Sequence, residues 1–229
     1  MMKGTDLVAE FRTLAMDTAE PYLWPDEFVL PTLIEAEREA AERSLLIYDD
    51  STVTVTQLAV TENIDTYAVS NLIVSVELAT FVRSNGETVP LSVYDRGKLG
   101  RQSRAHRLED DAWFGTVPGI PSGLIYDGKV LQSTRMPSED GTILLGVYRL
   151  PLAPFTLETE PEIPPVYHKD LVEWALFRAF TIPDADGKNA DLATLHLDLF
   201  EQRFGKRPAA GEIIRQRAIK PRYGTKCWW

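Results

Sequence analysis

Apolar residues in the first fifty positions recur at the spacing of amphipathic helices. One helix is predicted over residues 5–19, with Thr5 or Asp6 as its N-cap. A second helix is predicted over residues 31–48, where Pro31 begins the regular part or bends it, and the preceding Asp26 and Glu27 suit the positive end of a helix. The predicted apolar positions are Leu7, Phe11, Leu14 and Met16 in the first helix, and Leu33, Ile34, Ala40, Ala41 and Leu45 in the second.

From Asp49 the apolar period changes to two, and Val, Thr and Ile become frequent, which is typical of strands. Asn85-Gly86 lies between two such segments and predicts a hairpin turn. Residues 96–119 have no clear period and are interpreted as a long loop or short helix. The predicted strands lie in 51–61, 65–70, 72–82 and 87–95, with three more in 123–152 separated by turns at Asp127-Gly128 and Asp140-Gly141. A sheet of six to eight antiparallel strands is expected, folded as a sandwich or small barrel.

Helical periodicity returns after residues 153–165, a Pro- and Glu-rich stretch interpreted as an extended linker. Two further helices are predicted over 167–180 and 190–205, with Gly205 ending the second. Their apolar positions are Leu171, Val172, Ala175, Leu176, Ala179 and Phe180 in the first, and Leu192, Leu195, His196, Leu199, Phe200 and Phe204 in the second.

The acidic stretch between these helices has two interpretations, a calcium loop or the corner of a helical hairpin. A calcium loop starting at Asp184 would include Asp186 but place Lys188 at the fifth position, and neither possible register has the closing glutamate. The corner is therefore preferred. Pro183 would stop the first helix, Gly187 would make the turn, and Asn189 or Asp191 would cap the second helix.

The order helices, strands, helices predicts an α+β fold. The N- and C-terminal helices are expected to pack as a helical bundle, with an antiparallel β-sandwich or barrel-like domain inserted between them and an extended C-terminal arm. The predicted parts are 1–49 for the N-terminal helices, 50–160 for the β-rich domain, 161–205 for the C-terminal helical hairpin and 206–229 for the arm.

Charge is distributed unevenly along the chain. The net charge is −10, yet residues 203–229 contain eight Lys or Arg and only one acid, Glu212. That segment therefore carries +7 and the other 202 residues carry −17. The segment ends in two tryptophans, and aromatic side chains among arginines are typical of interface hot spots. A docking arm is favoured over a merely solvated tail.

Composition excludes several classes of protein. Hydrophobic residues make up 44% and charged residues 25%, as in ordinary globular domains. No apolar run approaches the ~20 residues that span a bilayer, and the N-terminus has no apolar core of signal-peptide type. Cys227 is the only cysteine, so no internal disulfide can form. Folding in a reducing cytoplasm is expected.

Nothing in the sequence predicts catalysis, a metal or a cofactor. His106, His168 and His196 lie in no zinc-binding pattern, and the latter two are interpreted as packing or capping residues. No phosphate-binding glycine motif and no nucleophile elbow is present. The pair Asp110-Asp111 is interpreted as solvated rather than as an acid–base pair. The strongly acidic body argues against sequence-specific DNA binding, although it suits a protein that lets DNA slide past.

Three segments resemble the head-to-tail adaptor (connector) proteins of tailed bacteriophages. They are the N-terminal "YLWPDEFVLPTLIEAEREAAERS", the strand pair "VLQSTRMPSEDGTILLGVYRLPL", and the C-terminal segment that runs from "IPPVYHKDLVEWALFRAF" to "ADLATLHLDLFEQRFG". Together they cover about three-quarters of the chain in the right order, and the C-terminal segment is the most specific.

The resemblance implies a structural virion protein and no enzyme. Such adaptors form a ring, usually of twelve copies, beneath the portal, extend the DNA channel and offer a platform for tail attachment. The implied partners are the portal protein, neighbouring adaptor subunits, tail, nozzle or stopper proteins, and double-stranded DNA in passage, with no membrane. The implied location is the neck of the virion, and the host cytoplasm during assembly.

The arm is expected to dock on the portal, an assignment that depends on its charge and aromatic residues only. Its basic side chains would pair with acidic portal surface while its aromatic side chains fill apolar pockets. The expected portal-binding residues are Arg215, Arg217, Lys220, Arg222, Tyr223, Trp228 and Trp229.

A rival hypothesis is a β-sandwich binding module, for carbohydrate or a protein ligand, mounted on helices. Trp113 and Phe114 could stack on a sugar, with Asp110 and Asp111 as hydrogen-bond partners, although the preferred interpretation is that Trp113 fills the core of the sandwich. A third, weaker hypothesis is a calcium-dependent protein that uses Asp184 and Asp186.

Overall fold

The structure is a computed structural model that describes residues 1–95, 117–182 and 189–207. Helices and a mixed sheet are both present, so the α+β prediction is confirmed. The chain divides into two compact units. Of the described residues, the helical unit contains 1–49, 72–75, 148–182 and 189–207, and the sheet unit contains 50–71, 76–95 and 117–147.

The described helices lie mainly towards the two ends of the chain. Pro165–Tyr167 forms a short 3₁₀ turn before the C-terminal hairpin. The helices are α1 (Gly4–Leu14), α2 (Asp26–Ser44), the four-residue α3 (Val53–Thr56), α4 (Leu171–Thr181) and α5 (Ala190–Phe204).

Helix α1 differs from its prediction at both ends. Its N-cap is Lys3, not Thr5 or Asp6, and the Asp6 carboxylate accepts a hydrogen bond of 2.9 Å from the Lys3 backbone N–H. The helix ends at Leu14, so Leu14 and Met16 are exposed and not part of the apolar face. Met16 has φ = 56°, a left-handed conformation that no α-helix can continue through.

Helix α2 begins five residues earlier than Pro31, which lies inside it. Asp26 and Glu27 occupy its first turn, where carboxylates interact favourably with the positive end of the helix. Leu33, Ala40 and Ala41 are fully buried as predicted. Leu45, expected on the same face, instead ends the helix at φ = 51° and is partly exposed.

Helices α4 and α5 form the predicted hairpin, and Asn189 is the cap. Its side-chain oxygen accepts a hydrogen bond of 3.1 Å from the Leu192 N–H. Gly205 follows the last helical residue with φ = 84°, as expected for a glycine that ends a helix. The corner residues Pro183 and Gly187, with Asp184 and Asp186 of the calcium hypothesis, lie outside the described residues.

Residues 153–165 are irregular, but they are packed against the helices and are not a free linker. Phe155 and Ile163 are buried in the helical core. The N–H of Gly4 donates to Thr159 O over 3.0 Å, and a Cβ on Gly4 would lie 2.4 Å from Thr156 O. The sequence suggested a linker because proline and glutamate break periodicity without preventing burial of the apolar residues among them.

The helical unit has one apolar core to which all four long helices contribute. Trp24 lies between Phe11 and Phe180, with edge-to-face ring contacts at 6.0 and 5.7 Å. Such contacts add to the free energy gained by burying the rings. The fully buried side chains of this core are Leu7, Phe11, Val29, Leu33, Ala36, Ala40, Ala41, Leu171, Val172, Ala175, Leu176, Ala179 and Phe200.

Most of the predicted strands are present and form an eight-stranded sheet within the described residues. The strand order is β1-β10-β4-β5-β7-β8-β3, and β2 also pairs with β10. A small separate sheet pairs β6 with β9. The strands are β1 (Tyr48–Asp49), β2 (Gln57–Val60), β3 (Thr66–Ala68), β4 (Ile73–Arg83), β5 (Thr88–Asp95), β6 (Pro118–Gly119), β7 (Gly123–Tyr126), β8 (Val130–Ser133), β9 (Met136–Pro137) and β10 (Gly141–Arg149).

Two of the three predicted glycine turns are confirmed, whereas Gly141 is the first residue of strand β10 and pairs with Val60. Strands β4 and β5 pair antiparallel, and Gly86 has φ = 85° in the turn that joins them. Gly128, with φ = 101°, joins β7 to β8, which are also antiparallel. Both positions need a left-handed backbone that glycine adopts without a steric cost.

Two details of the sheet prediction are wrong. Residues 53–56 form a helical turn where a strand was predicted, because the Thr56 hydroxyl and backbone N–H both bond to Thr52 O. Strands β5 and β7 are parallel, as are β6 and β9, whereas all pairs were expected to be antiparallel. A parallel pair needs a connection of a dozen or more residues, and the 27 residues between β5 and β7 supply one.

Candidate functional site

The proposed arm begins where α5 ends, and the first part of this junction is described. We call residues 205–207 the arm root. The expected portal-binding residues lie beyond it, outside the described part of the chain: Arg215, Arg217, Lys220, Arg222, Tyr223, Trp228 and Trp229. The structure therefore does not test the roles given to those side chains.

The arm root is hydrogen-bonded to the C-terminal end of α2. The Ser44 hydroxyl donates to Phe204 O over 2.8 Å, and Arg43 Nη1 donates to Gly205 O over 3.2 Å. These bonds satisfy two of the carbonyls that a helix leaves free at its C-terminus. The position at which the chain leaves α5 is therefore fixed by α2.

A buried ion pair lies directly beneath the arm root. Arg43 donates from Nε and Nη2 to Glu39 Oε2 over 3.0 and 2.8 Å, and the two side chains are only 3% and 11% exposed. The other Glu39 oxygen lies 3.4 Å from Nη2 of Arg207 in the arm root. Glu39 thus links the arm root to the bundle by charge.

Aromatic rings from α4 and α5 support the Arg43 guanidinium. Its central carbon lies 5.0 Å from the centre of the Trp174 ring and 5.3 Å from that of Phe200. Cation–π contacts of this kind are strongest where water is excluded, and Trp174 is buried. The indole N–H of Trp174 has no hydrogen-bond partner among the described residues.

An exposed leucine face runs along α5 and contradicts part of its predicted packing. Leu192, Leu195 and Leu199 were expected in the core, but they are 36%, 50% and 39% exposed. Their spacing of three and four residues places them on one side of the helix. The core is instead contacted by Ala193, Phe200 and Phe204. We call Leu192, Leu195 and Leu199 the α5 leucine face.

The α5 leucine face has an acidic border. Asp191 and Asp198 are exposed and lie beside it, about 40–120° around the helix from the leucines at 100° per residue. Neither carboxylate forms an ion pair within the described part of the chain. An apolar stripe with a negative edge is therefore present on the same helix that leads into the basic arm.

The sequence profile of the family described as SU10 adaptor protein matches residues 2–222 of the chain. The chain belongs to this adaptor family. The resemblance to phage head-to-tail adaptors is thereby confirmed over nearly the whole length, including most of the arm. No curated protein matches the sequence. Membership of the SU10 adaptor family supports a structural, non-enzymatic role in a bacteriophage particle.

The histidines of this adaptor have packing roles where they are described. His168 is fully buried, with Nε2 2.9 Å from Ile163 O and Nδ1 near the Met2 backbone. His196 Nδ1 lies 2.7 Å from Glu173 Oε2, and its ring stacks on Phe180. His106 lies outside the described residues. Over residues 1–95, 117–182 and 189–207, no cluster of three potential metal ligands occurs.

A second polar network in the adaptor fixes the irregular segment after β10. Arg149 is buried and donates to the carboxylates of Asp49 and Glu162. Burial opposes ionisation of Glu162, but the hydrogen bonds from Arg149 and from the Leu152 N–H outweigh it and lower the pKa of Glu162. Three chain segments of the helical unit are joined by these charges.

Glu37 of α2 completes this network from the helix side. It is 1% exposed and accepts hydrogen bonds from the N–H groups of Glu162 and Ile163. Burial, opposed in part by these two bonds, raises the pKa of Glu37 to about 7. Sequence reasoning did not identify Glu37, although a signal existed: it lies four residues after Leu33 and three before Ala40, within the predicted apolar face.

The described surface of the sheet unit gives no direct support to the carbohydrate hypothesis. An open cavity of about 340 Å³ is lined by side chains that include no aromatic ring for a sugar to stack on. Trp113, Phe114, Asp110 and Asp111 lie outside the described residues, so that hypothesis is not tested by them. The cavity is lined by Thr66, Ile125, Asp127, Val130 and Gln132.

Among the described residues, no helix is both long and apolar enough to cross a bilayer.

Proposed function

We propose that the protein is a head-to-tail adaptor that forms a ring beneath the portal, extends the DNA channel and carries the tail components. The observation that carries this proposal is the family match over residues 2–222. Homo-oligomeric rings are built from one repeated contact between different surfaces of neighbouring subunits. A ring of twelve copies is the expected stoichiometry.

The second part of the proposal is that the arm, residues 206–229, docks each subunit on the portal. The arm root supports this role because it is held by Ser44, Arg43 and Glu39, so the basic segment starts from a fixed point on the bundle. Guanidinium groups suit bidentate pairing with carboxylates on a partner surface. The terminal tryptophans would fill apolar pockets there.

The proposed test is negative-stain microscopy of the adaptor mixed with the portal ring encoded in the same genome. The full-length chain and a chain ending at Arg207 would be compared, since the shorter chain keeps the arm root intact. New ring density on the portal with the full-length chain only is the expected result. Density with both chains would retain the adaptor and reject the arm as its anchor.

A point-variant series separates charge from aromatic packing. Trp228→Ala with Trp229→Ala, and Arg215→Glu with Arg217→Glu, should each weaken portal binding at least tenfold if these residues are interface hot spots. The matched control is Lys129→Glu, an exposed cation in the sheet unit, which should bind as wild type. If neither the full-length chain nor the chain ending at Arg207 gives new density on the portal at micromolar concentration, the adaptor proposal itself is rejected.

A further inference from the structure

The α5 leucine face is a surface of the helical unit that lacks a partner among the described residues. Its three leucines are between 36% and 50% exposed, although α5 packs its opposite side tightly through Phe200 and Phe204. Contiguous apolar surface bordered by charge is typical of an interaction site. The two features that identify its partner are the acidic border and the segment that follows the helix.

The charge of the border matches the charge of the arm. Asp191 and Asp198 give the leucine face a negative edge, whereas residues 203–229 carry +7. The proximal part of the arm also contains apolar residues next to its cations: Ile213 and Ile214 come directly before Arg215, and Ile219 lies between Arg217 and Lys220. Leucines edged by carboxylates are the complement of isoleucines interspersed with guanidinium groups.

The length of the arm allows the contact within one chain. From Phe204 back to Leu195 is nine residues along α5, a distance of about 14 Å at 1.5 Å per residue. The seven residues from Pro208 to Ile214 can extend about 23 Å. The arm leaves from the end of the same helix, so no second copy is needed to bring the two surfaces together.

We propose that the proximal arm, residues 208–219, binds the α5 leucine face of its own chain in the unassembled subunit. Its isoleucines would cover the leucines, and Arg215 and Arg217 would face Asp191 and Asp198. The same arginines are candidates for the portal contact, so the two contacts exclude each other. Binding of the arm to α5 belongs to the free protein and does not depend on the proposed portal docking.

Disulfide trapping of the isolated full-length protein tests this contact. Cys227→Ser removes the native thiol, and Leu195→Cys with Ile214→Cys places one thiol on each surface. Mild oxidation should give a crosslinked monomer at a rate independent of protein concentration. The matched control replaces Leu195→Cys by Thr194→Cys, an exposed position outside the leucine face, and should crosslink several-fold more slowly.

The charge contribution has its own readout. Asp191→Lys with Asp198→Lys should slow disulfide trapping several-fold. The difference in trapping rate from the protein that keeps both aspartates should shrink as salt is added, because exposed charges are screened. Equal rates for the Leu195 and Thr194 pairs would overturn the proposal. So would a covalent dimer as the main product, since the leucine face would then receive a second copy. Unchanged thermal melting of each reduced variant confirms that the readout concerns the arm and not the fold.

Discussion

At the scale of single residues, Glu37 makes the free energy of unfolding depend on pH. Its folded-state pKa of about 7 lies above the ordinary value of 4.5 because burial disfavours the charged form. Between those two values the folded protein binds more protons than the unfolded chain. Stability is therefore expected to fall as pH rises from about 4.5 to about 7, and this contribution levels off above that range.

The variant Glu37→Gln tests this effect. Glutamine keeps one oxygen to accept the N–H groups of Glu162 and Ile163 but cannot ionise. We expect the variant to lose the Glu37-dependent decrease between pH 5 and pH 8, on the order of 2–3 kcal/mol. Urea unfolding at a series of pH values measures it. A wild-type curve with the same slope as the variant across this range would contradict the assignment.

At the scale of elements, the sequence predicted where helices and strands occur better than it predicted which face of each helix is buried. Helices α4 and α5 were predicted from apolar spacing, and the Asn189 cap followed from the residue types that accept free N–H groups. Helix α5, however, has two apolar sets on different sides. Spacing alone could not tell that Phe200 packs and Leu195 does not, because that choice depends on the shape of α2 and α4.

The same limit explains the errors in the sheet. The Val and Thr residues of α3 favour strands intrinsically, but a local hydrogen bond from Thr56 to Thr52 O competes with the ladder. The parallel pairing of β5 with β7 depends on a partner that follows 27 residues later. An apolar period of two residues predicts a strand, but it indicates neither a local hydrogen bond from a hydroxyl nor the direction of a partner strand that is distant in sequence.

Replacement of the cap gives a prediction at this scale. Asn189→Ala removes the bond to the Leu192 N–H and should lower the free energy of unfolding by about 1 kcal/mol. Asn189→Asp keeps an accepting oxygen and should be nearly neutral. Asp191→Ala, the other candidate cap, should lose only a few tenths of a kcal/mol through the helix dipole. Equal losses at both positions in urea titrations would show that Asn189 is not the cap.

At the scale of the whole molecule, the helical unit is assembled from segments that flank the sheet unit in the chain. All of its core side chains come from residues before 50 or after 147. The two ends of the intervening segment are close, because β1 and β10 are neighbours in the sheet and the Arg149 N–H donates to Ile47 O over 3.0 Å. The four-part division of the chain drawn from the sequence remains a prediction, and this arrangement offers a way to test it.

Excision of residues 50–147, with Asp49 joined to Tyr148 by a short glycine linker, is expected to leave a folded helical unit. The variant loses residues 72–75 of the helical unit, where Leu72 O accepts a hydrogen bond from the Leu150 N–H, but it retains the buried pair of Arg149 and Asp49. Loop closure by a short linker has a small entropic cost when the ends already lie together. Cooperative thermal unfolding followed by circular dichroism, with helical content matching α1, α2, α4 and α5, is the expected result.

Phe200→Ala in the same background serves as the control, because it should lower the melting temperature only if the excised protein keeps a packed core. A gradual, non-cooperative transition that Phe200→Ala leaves unchanged would mean that the helices depend on the sheet unit to fold.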